Sequence, residues 1–115
     1  MGKRYQKFCE TRQEPLKLKI ALQEYFSEET LEETERKAYG AYLKKRIRPA
    51  GELLLEQGET KKLFLLEEAG FFGKKELDGF LKTARERGWY RDWILLLKRK
   101  AERYGFQEEE FSLWE

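Results

Sequence analysis

Apolar residues recur three and four positions apart along most of this chain, the spacing that lines one face of an α-helix. Leu18, Ala21, Leu22, Tyr25 and Phe26 form the first stripe, in a helix opening at Pro15, where a missing N–H leaves nothing unpaired. A second stripe, Leu31, Ala38, Tyr39, Tyr42, Leu43 and Ile47, predicts a helix with Ser27 as N-cap. Glu28 and Glu29 suit its first turn and Lys44, Lys45 and Arg46 its last, the charges the helix dipole favours there. Arg48-Pro49 should break it, because a residue before proline is pushed out of the helical region. Beyond that point the pattern divides at glycines. Short helices are expected over 49–57 and 59–69, stopped at Gly58 and Gly70, with Leu53 to Leu55 and Leu63 to Leu66 as their apolar runs. Phe71-Phe72-Gly73 connects to a helix over 74–87, with Leu77, Phe80, Leu81 and Ala84 inward, stopped at Gly88. A last helix runs over 89–104, carrying Trp93, Ile94, Leu96, Leu97, Ala101 and Tyr104, stopped at Gly105.

Composition narrows this to an all-α chain. Ala, Glu, Lys, Leu and Arg supply 68 of the 115 residues, and only eight residues are β-branched; the first set loses little rotamer freedom in a helix, and the second is what sheets use. The chain contains no His, which removes Ser-His-Asp and Cys-His nucleophiles, the usual zinc sites and the commonest general base. A single cysteine, Cys9, cannot form an internal disulfide, and no apolar run is long enough to span a bilayer. The expectation is a cytoplasmic protein with no membrane partner and no cofactor. A net charge of +2 from 24 basic and 22 acidic side chains is far from a nucleic-acid footprint. Residues 1–14 are polar apart from Tyr5 and Phe8 and read as a flexible arm, or a helical turn docking through those rings. One helical domain is expected over 15–107, a hairpin or cap over 15–48 followed by two helical pairs over 49–105. An acidic tail, 108–115, closes the chain.

The second half repeats. With Gly58 aligned on Gly88, Leu63-Phe64-Leu65-Leu66 falls under Trp93-Ile94-Leu95-Leu96, a period of 30 residues typical of stacked helical pairs. Leu54-Leu55-Glu56-Gln57-Gly58, continuing through Leu65-Leu66 to Gly70, resembles the ankyrin repeat, in which a leucine-rich second helix ends at a glycine twelve residues after the first. The second copy, Ala84-Arg85-Glu86-Arg87-Gly88 through Leu95-Leu96-Leu97, departs from that family in having Lys100 at the closing glycine position. The Thr-Pro-Leu-His opening is absent from both copies, and the connection after Gly70 is too short for a β-finger. The resemblance covers roughly residues 50–105. It implies stacked antiparallel hairpins, about six helices in all, arranged as an α-solenoid in this half, that bind another protein rather than catalyse a reaction. Another helical-hairpin bundle has the same pattern, and two copies imply a cap over the first hairpin or a longer array.

Several clusters invite chemistry. Glu32 with Glu35 has metal-pair spacing, but a di-iron bundle wants Glu-x-x-His pairs, and a solvated helix start has the same composition. Cys9 has basic neighbours that could lower a thiol pKa, yet no base of the usual kind accompanies it. Trp89, Tyr90 and Arg91 follow Gly88 on the turn that ankyrin-like proteins present to partners, with Arg85 and Lys61 beside them. Exposed aromatics among arginines have the composition of an interface hot spot; the alternative is that Trp89 folds back as an apolar plug. A second surface, Lys44, Lys45, Arg46, Lys98 and Arg99, could contact nucleic-acid phosphates. The reading is a non-catalytic protein-interaction module, with weak nucleic-acid binding as its alternative.

Overall fold

The computed structural model describes residues 3–27 and 32–105. Among these it holds seven α-helices and no strand: α1 (Lys3–Glu10), α2 (Glu14–Tyr25), α3 (Glu33–Lys45), α4 (Ile47–Glu56), α5 (Thr60–Glu68), α6 (Lys74–Glu86) and α7 (Tyr90–Tyr104). The chain is all-α. It divides into two compact units, Met1–Ala50 and Gly51–Glu115, where one domain is expected. Each unit buries an apolar cluster of its own, which is the physical reason for the division. The expected tail, 108–115, lies outside the described residues.

In the first unit residues 3–10 form the helix α1, the second of the two forms expected for this segment. It docks through Phe8, whose ring lies 4.8 Å from that of Tyr39 and 5.2 Å from that of Tyr42, in edge-to-face geometry. Tyr5 adds an edge-on contact to Tyr39 at 5.7 Å. Two aromatic rings one turn apart give an otherwise polar octapeptide an apolar side worth burying. On α2 the expected Leu18, Ala21 and Leu22 are buried, and Ile20, off that stripe, is buried as well.

The second helix starts later than its cap signal. Ser27 belongs to the turn that ends α2, its N–H donating to the Glu24 carbonyl at 3.2 Å. The helix α3 starts at Glu33, behind Glu32; Glu28, Glu29 and Leu31 lie outside the described residues. Between Glu32 and Lys37 no side chain is apolar, so burial begins only at Glu35 and Tyr39. The break also moves. The helix α3 stops at Lys45 and Ile47 opens α4, with Pro49 as its third residue. Proline is harmless there, since Ala50 is the first to pair, its N–H donating to the Arg46 carbonyl at 2.9 Å.

A polar bracket joins the two main helices of this unit. The Tyr42 hydroxyl donates to Glu14 at 2.5 Å, and Arg46 donates to the same carboxylate at 3.1 Å while its guanidinium lies 4.3 Å from the Tyr42 ring. The Tyr42 hydrogen bond, aided by Arg46, holds the Glu14 carboxyl below its ordinary 4.5. Burial, and then Glu14, push Tyr42 up to about 12.

In the second unit glycines set the helix lengths. At Gly58 (φ +73°) the Gly58 N–H donates to the Leu55 carbonyl at 3.0 Å and the Glu59 N–H to that of Leu54 at 2.8 Å. Gly88 (φ +76°) repeats this, with the Trp89 N–H donating to the Ala84 carbonyl at 2.8 Å. Both are Schellman ends, whose left-handed residue an L side chain enters at a cost. Leu54, Leu55, Leu63, Leu66, Phe72, Leu77, Phe80, Leu81, Ala84, Leu96 and Leu97 make the core. Phe72 and Phe80 meet edge-to-face at 5.3 Å. Gly51 is buried in α4 against Phe80, whose ring occupies the space a Cβ would need. Leu65 and Ile94, members of the two apolar runs, are 52% and 56% exposed. At about 100° per residue a run of four or five apolar side chains cannot all face one core.

Two stability experiments follow. In the first unit, Glu14 contributes stability above its unfolded pKa near 4.5, and this is lost as pH falls through its lower folded value. A carboxyl-carbon NMR titration should show the Glu14 midpoint returning toward 4.5 in Tyr42→Phe. Tyr42 acts at the other end of the scale, its contribution being lost as pH rises from about 10 through about 12. In the second unit, Gly51→Ala should cost about 1–3 kcal/mol in urea unfolding, through overpacking against Phe80. Gly70→Ala meets no neighbour within 4 Å, so only its backbone strain at φ +84° is felt, about 1 kcal/mol.

Candidate protein-contact site

The site is built by the pairing of α5 with α7 in the second unit. At their first turns the Thr60 hydroxyl donates to Asp92 at 2.5 Å. At their far ends Arg99 donates through Nε to Glu67 at 2.7 Å and through Nη2 to Glu68 at 3.0 Å, with its guanidinium 5.1 Å from the Phe64 ring. Start meets start and end meets end, so the two helices run parallel. An offset one residue shorter, 31 against 32, relates the preceding helices, where Thr83 of α6 donates to Glu52 of α4 at 3.5 Å.

This pairing brings Lys61 and Arg91 to one cleft of about 250 Å³, lined also by Gly58, Glu59, Thr60, Asp92 and Leu95. Lys61 and Arg91 are exposed. Tyr90, beside Arg91 at the start of α7, is 62% exposed. The neighbouring Trp89 is half-buried, pinned by its backbone N–H to Ala84, with the Arg87 guanidinium 5.3 Å from its ring. It is therefore neither a free hot-spot ring nor a full plug. Arg85 is exposed on α6 and does not line the cleft. Of the five expected contact residues, the cleft itself unites two.

Sequence reasoning missed Leu95 and the Thr60–Asp92 hydrogen bond. A signal for the latter was present, since Asp92 is one of only two aspartates. It sits two residues beyond Tyr90, the position aligned with Thr60, which the period of 30 does not reveal.

The alternative cationic set divides between the two units. Lys44 and Lys45 are exposed on α3 and Lys98 on α7, in different units. Arg46 is held by Glu14, and Arg99, with a side chain 18% exposed, is bound by two carboxylates. The Glu67 hydrogen bond raises Arg99 further above its ordinary pKa. Glu67 is buried and drives this arrangement, because an ionised carboxylate in an apolar core demands a partner. Its second oxygen has Arg103 at 3.8 Å, beyond hydrogen-bond reach. Glu35 is buried on α3 with Oε1 unbonded, while Glu32 is exposed. Among the described residues no three Cys, Asp or Glu gather where a metal could be held, and no helix is long and apolar enough to cross a membrane. Cys9 is exposed.

The two lysine and arginine neighbours at the end of α7 should therefore behave oppositely. Arg99→Ala leaves Glu67 with only the longer Arg103 ion pair at 3.8 Å and is expected to cost about 3 kcal/mol in denaturant unfolding. Lys98→Ala should stay within about 0.5 kcal/mol of the parent.

No family model matches this chain, no curated protein matches it, and no solved structure matches it.

Proposed function

We propose that this protein is a non-catalytic protein-interaction module of helical-repeat type, working in the cytoplasm. In this reading α4 with α5 and α6 with α7 are two copies of one helix–glycine–helix unit, stacked as in ankyrin-like arrays. The matching Schellman ends at Gly58 and Gly88 support it, as do hydrogen bonds joining the copies at sequence offsets of 31 and 32 residues. The observation that carries the functional reading is an exposed Tyr90 beside Arg91, with Lys61 and Leu95 sharing the adjoining cleft.

The chemistry of this surface defines a partner. An aromatic ring and a leucine flanked by two cations favour a segment that offers an apolar side chain between carboxylates. Lys61 and Arg91 would steer and orient that segment, and Tyr90 would supply the desolvated contact. Nucleic acid is the weaker match, because two of the five cations proposed for it already serve carboxylates of the chain itself.

Affinity capture from the source organism's lysate, quantified by mass spectrometry, tests this reading when run with variants. Tyr90→Ala combined with Arg91→Ala should reduce recovery of the captured protein at least tenfold, while Lys44→Ala, in the other unit, should leave it unchanged. Equal recovery by all three proteins would overturn the assignment. So would binding of generic single- or double-stranded nucleic acid at low salt that Lys44→Ala weakens.

A further inference from the structure

The helices α1 and α2 pair as a hairpin, and one side of their seam is cationic. Arg4, at the start of α1, donates to Gln23 at 2.6 Å and lies 3.8 Å from Glu24, both at the end of α2. Start meets end across the short connection 11–13, so the two helices run antiparallel. Along the seam lies a cleft of about 290 Å³, lined by Arg4 and Lys7 of α1 and by Leu16, Lys19, Ile20 and Gln23 of α2. These positions are spaced by three and four residues, so each helix turns one face to the cleft. Leu16 is half-buried and Ile20 buried, which makes the floor apolar, while Arg4, Lys7, Lys19 and Gln23 are exposed.

Three cations line this cleft and no carboxylate does. Elsewhere in the unit opposite charges meet, Lys37 with Glu33 and Arg46 with Glu14. Arg4 draws on Glu24 from the border, but Lys7 and Lys19 have no ion pair among the described residues. Like charges gathered around one small concavity repel, and the chain supplies nothing there to offset the cost. Gln23 adds a directed donor. Its carbonyl oxygen accepts from Arg4, which has only donors to offer, so its amide NH2 remains for a ligand.

We propose that this cleft binds a small phosphate monoester with an apolar body. The charge selects the head group, because a phosphate monoester carries about −1.5 to −2 at neutral pH and offers three acceptor oxygens. It answers Lys7 and Lys19 together, where a carboxylate brings a single charge. Arg4 and Gln23 supply directed N–H groups, and the two lysines act as point charges. The floor selects the body, since Leu16 and Ile20 present apolar surface that inorganic phosphate would leave uncovered. The volume is that of a small ligand pocket, for which roughly 300 Å³ is the lower end of the usual range. The site lies in the first unit and makes no use of Tyr90, Arg91 or Lys61, so its test is separate from that of the protein-contact reading.

Amide NMR of the full chain, titrated with phenyl phosphate, tests the proposal. Saturable shifts are expected at Lys7, Lys19, Ile20 and Gln23, with an affinity about tenfold above that of inorganic phosphate or phenol alone. Lys7→Gln combined with Lys19→Gln should lower that affinity about tenfold. Both lysines are exposed and glutamine is as good a helix former as lysine, so the variant folds, which circular dichroism checks. Co-sedimentation with phosphatidylcholine vesicles carrying phosphatidate, run on parent and variant, separates two sources of the head group. Pelleting of the parent but not the variant supports the site and places its phosphate on a lipid. Shifts with phenyl phosphate and no pelleting support it and place the phosphate on a soluble ester. Neither shifts nor pelleting would overturn the proposal, as would equal binding of either probe by parent and double variant.

Discussion

Glu67 is a carboxylate buried within the second unit, and its hydrogen bond to Arg99 is the interaction on which that unit's geometry turns. Leu63 and Leu66 of α5 and Leu96 and Leu97 of α7 are buried, but apolar burial is non-directional and would tolerate sliding by a turn. A charge in the core does not tolerate it. Arg99 must sit beside Glu67, which places Asp92, seven residues earlier on α7, beside Thr60, seven residues earlier on α5. The next residue along pins α7 in a second direction, since Lys100, nearly buried, pairs with Asp78 of α6 at 2.6 Å. Adjacent residues on a helix point about 100° apart, so these two cations hold α7 to two different neighbours. The cleft that joins Lys61 to Arg91 is a consequence of this pairing.

The first unit reaches definition by another route. Its core is aromatic: Phe8, Tyr39 and Tyr42 pack at angles set by ring quadrupoles, with the Lys17 ammonium 5.0 Å from the Phe8 ring and 5.4 Å from that of Tyr42. Tyr42 serves twice, burying its ring and donating its hydroxyl to Glu14. Burial pushes the nearby Tyr39 up to about 12, so both phenols stay neutral through the physiological range. Glu14 and Arg46 place their charges at the margin, where water can share the cost, whereas the Glu35 carboxyl is buried on α3.

Much of the helix plan is legible along the chain, and its legibility has a local cause. Gly58, Gly70, Gly88 and Gly105 stop helices because left-handed backbone is a single-residue property. Leu77, Phe80, Leu81 and Ala84 are buried as their spacing demands, because α6 presents one face to one core. The misses are those where local signals compete. Ser27 is a good cap residue, but α3 starts at Glu33, behind Glu32. Pro49 looks like a helix breaker, yet it is harmless within the first turn, so Arg46 becomes the break. Lys98, Arg99 and Lys100 are chemically alike in sequence, and only their angular positions on α7 separate a free cation from two structural ones.

The sequence by itself determines that this protein is all-α, lacks histidine chemistry, and cuts the helices of its second half to length with glycine. These follow from properties each residue carries alone: rotamer freedom, absence of an imidazole, access to positive φ. Tertiary structure alone decides which charges remain available. Glu67 and Arg99 are separated by 32 residues, and no local property of either announces the other. Whether an arginine recognises a partner or stabilises its own core depends on what lies opposite it across a helix pair, a relation that exists only once the helices pack.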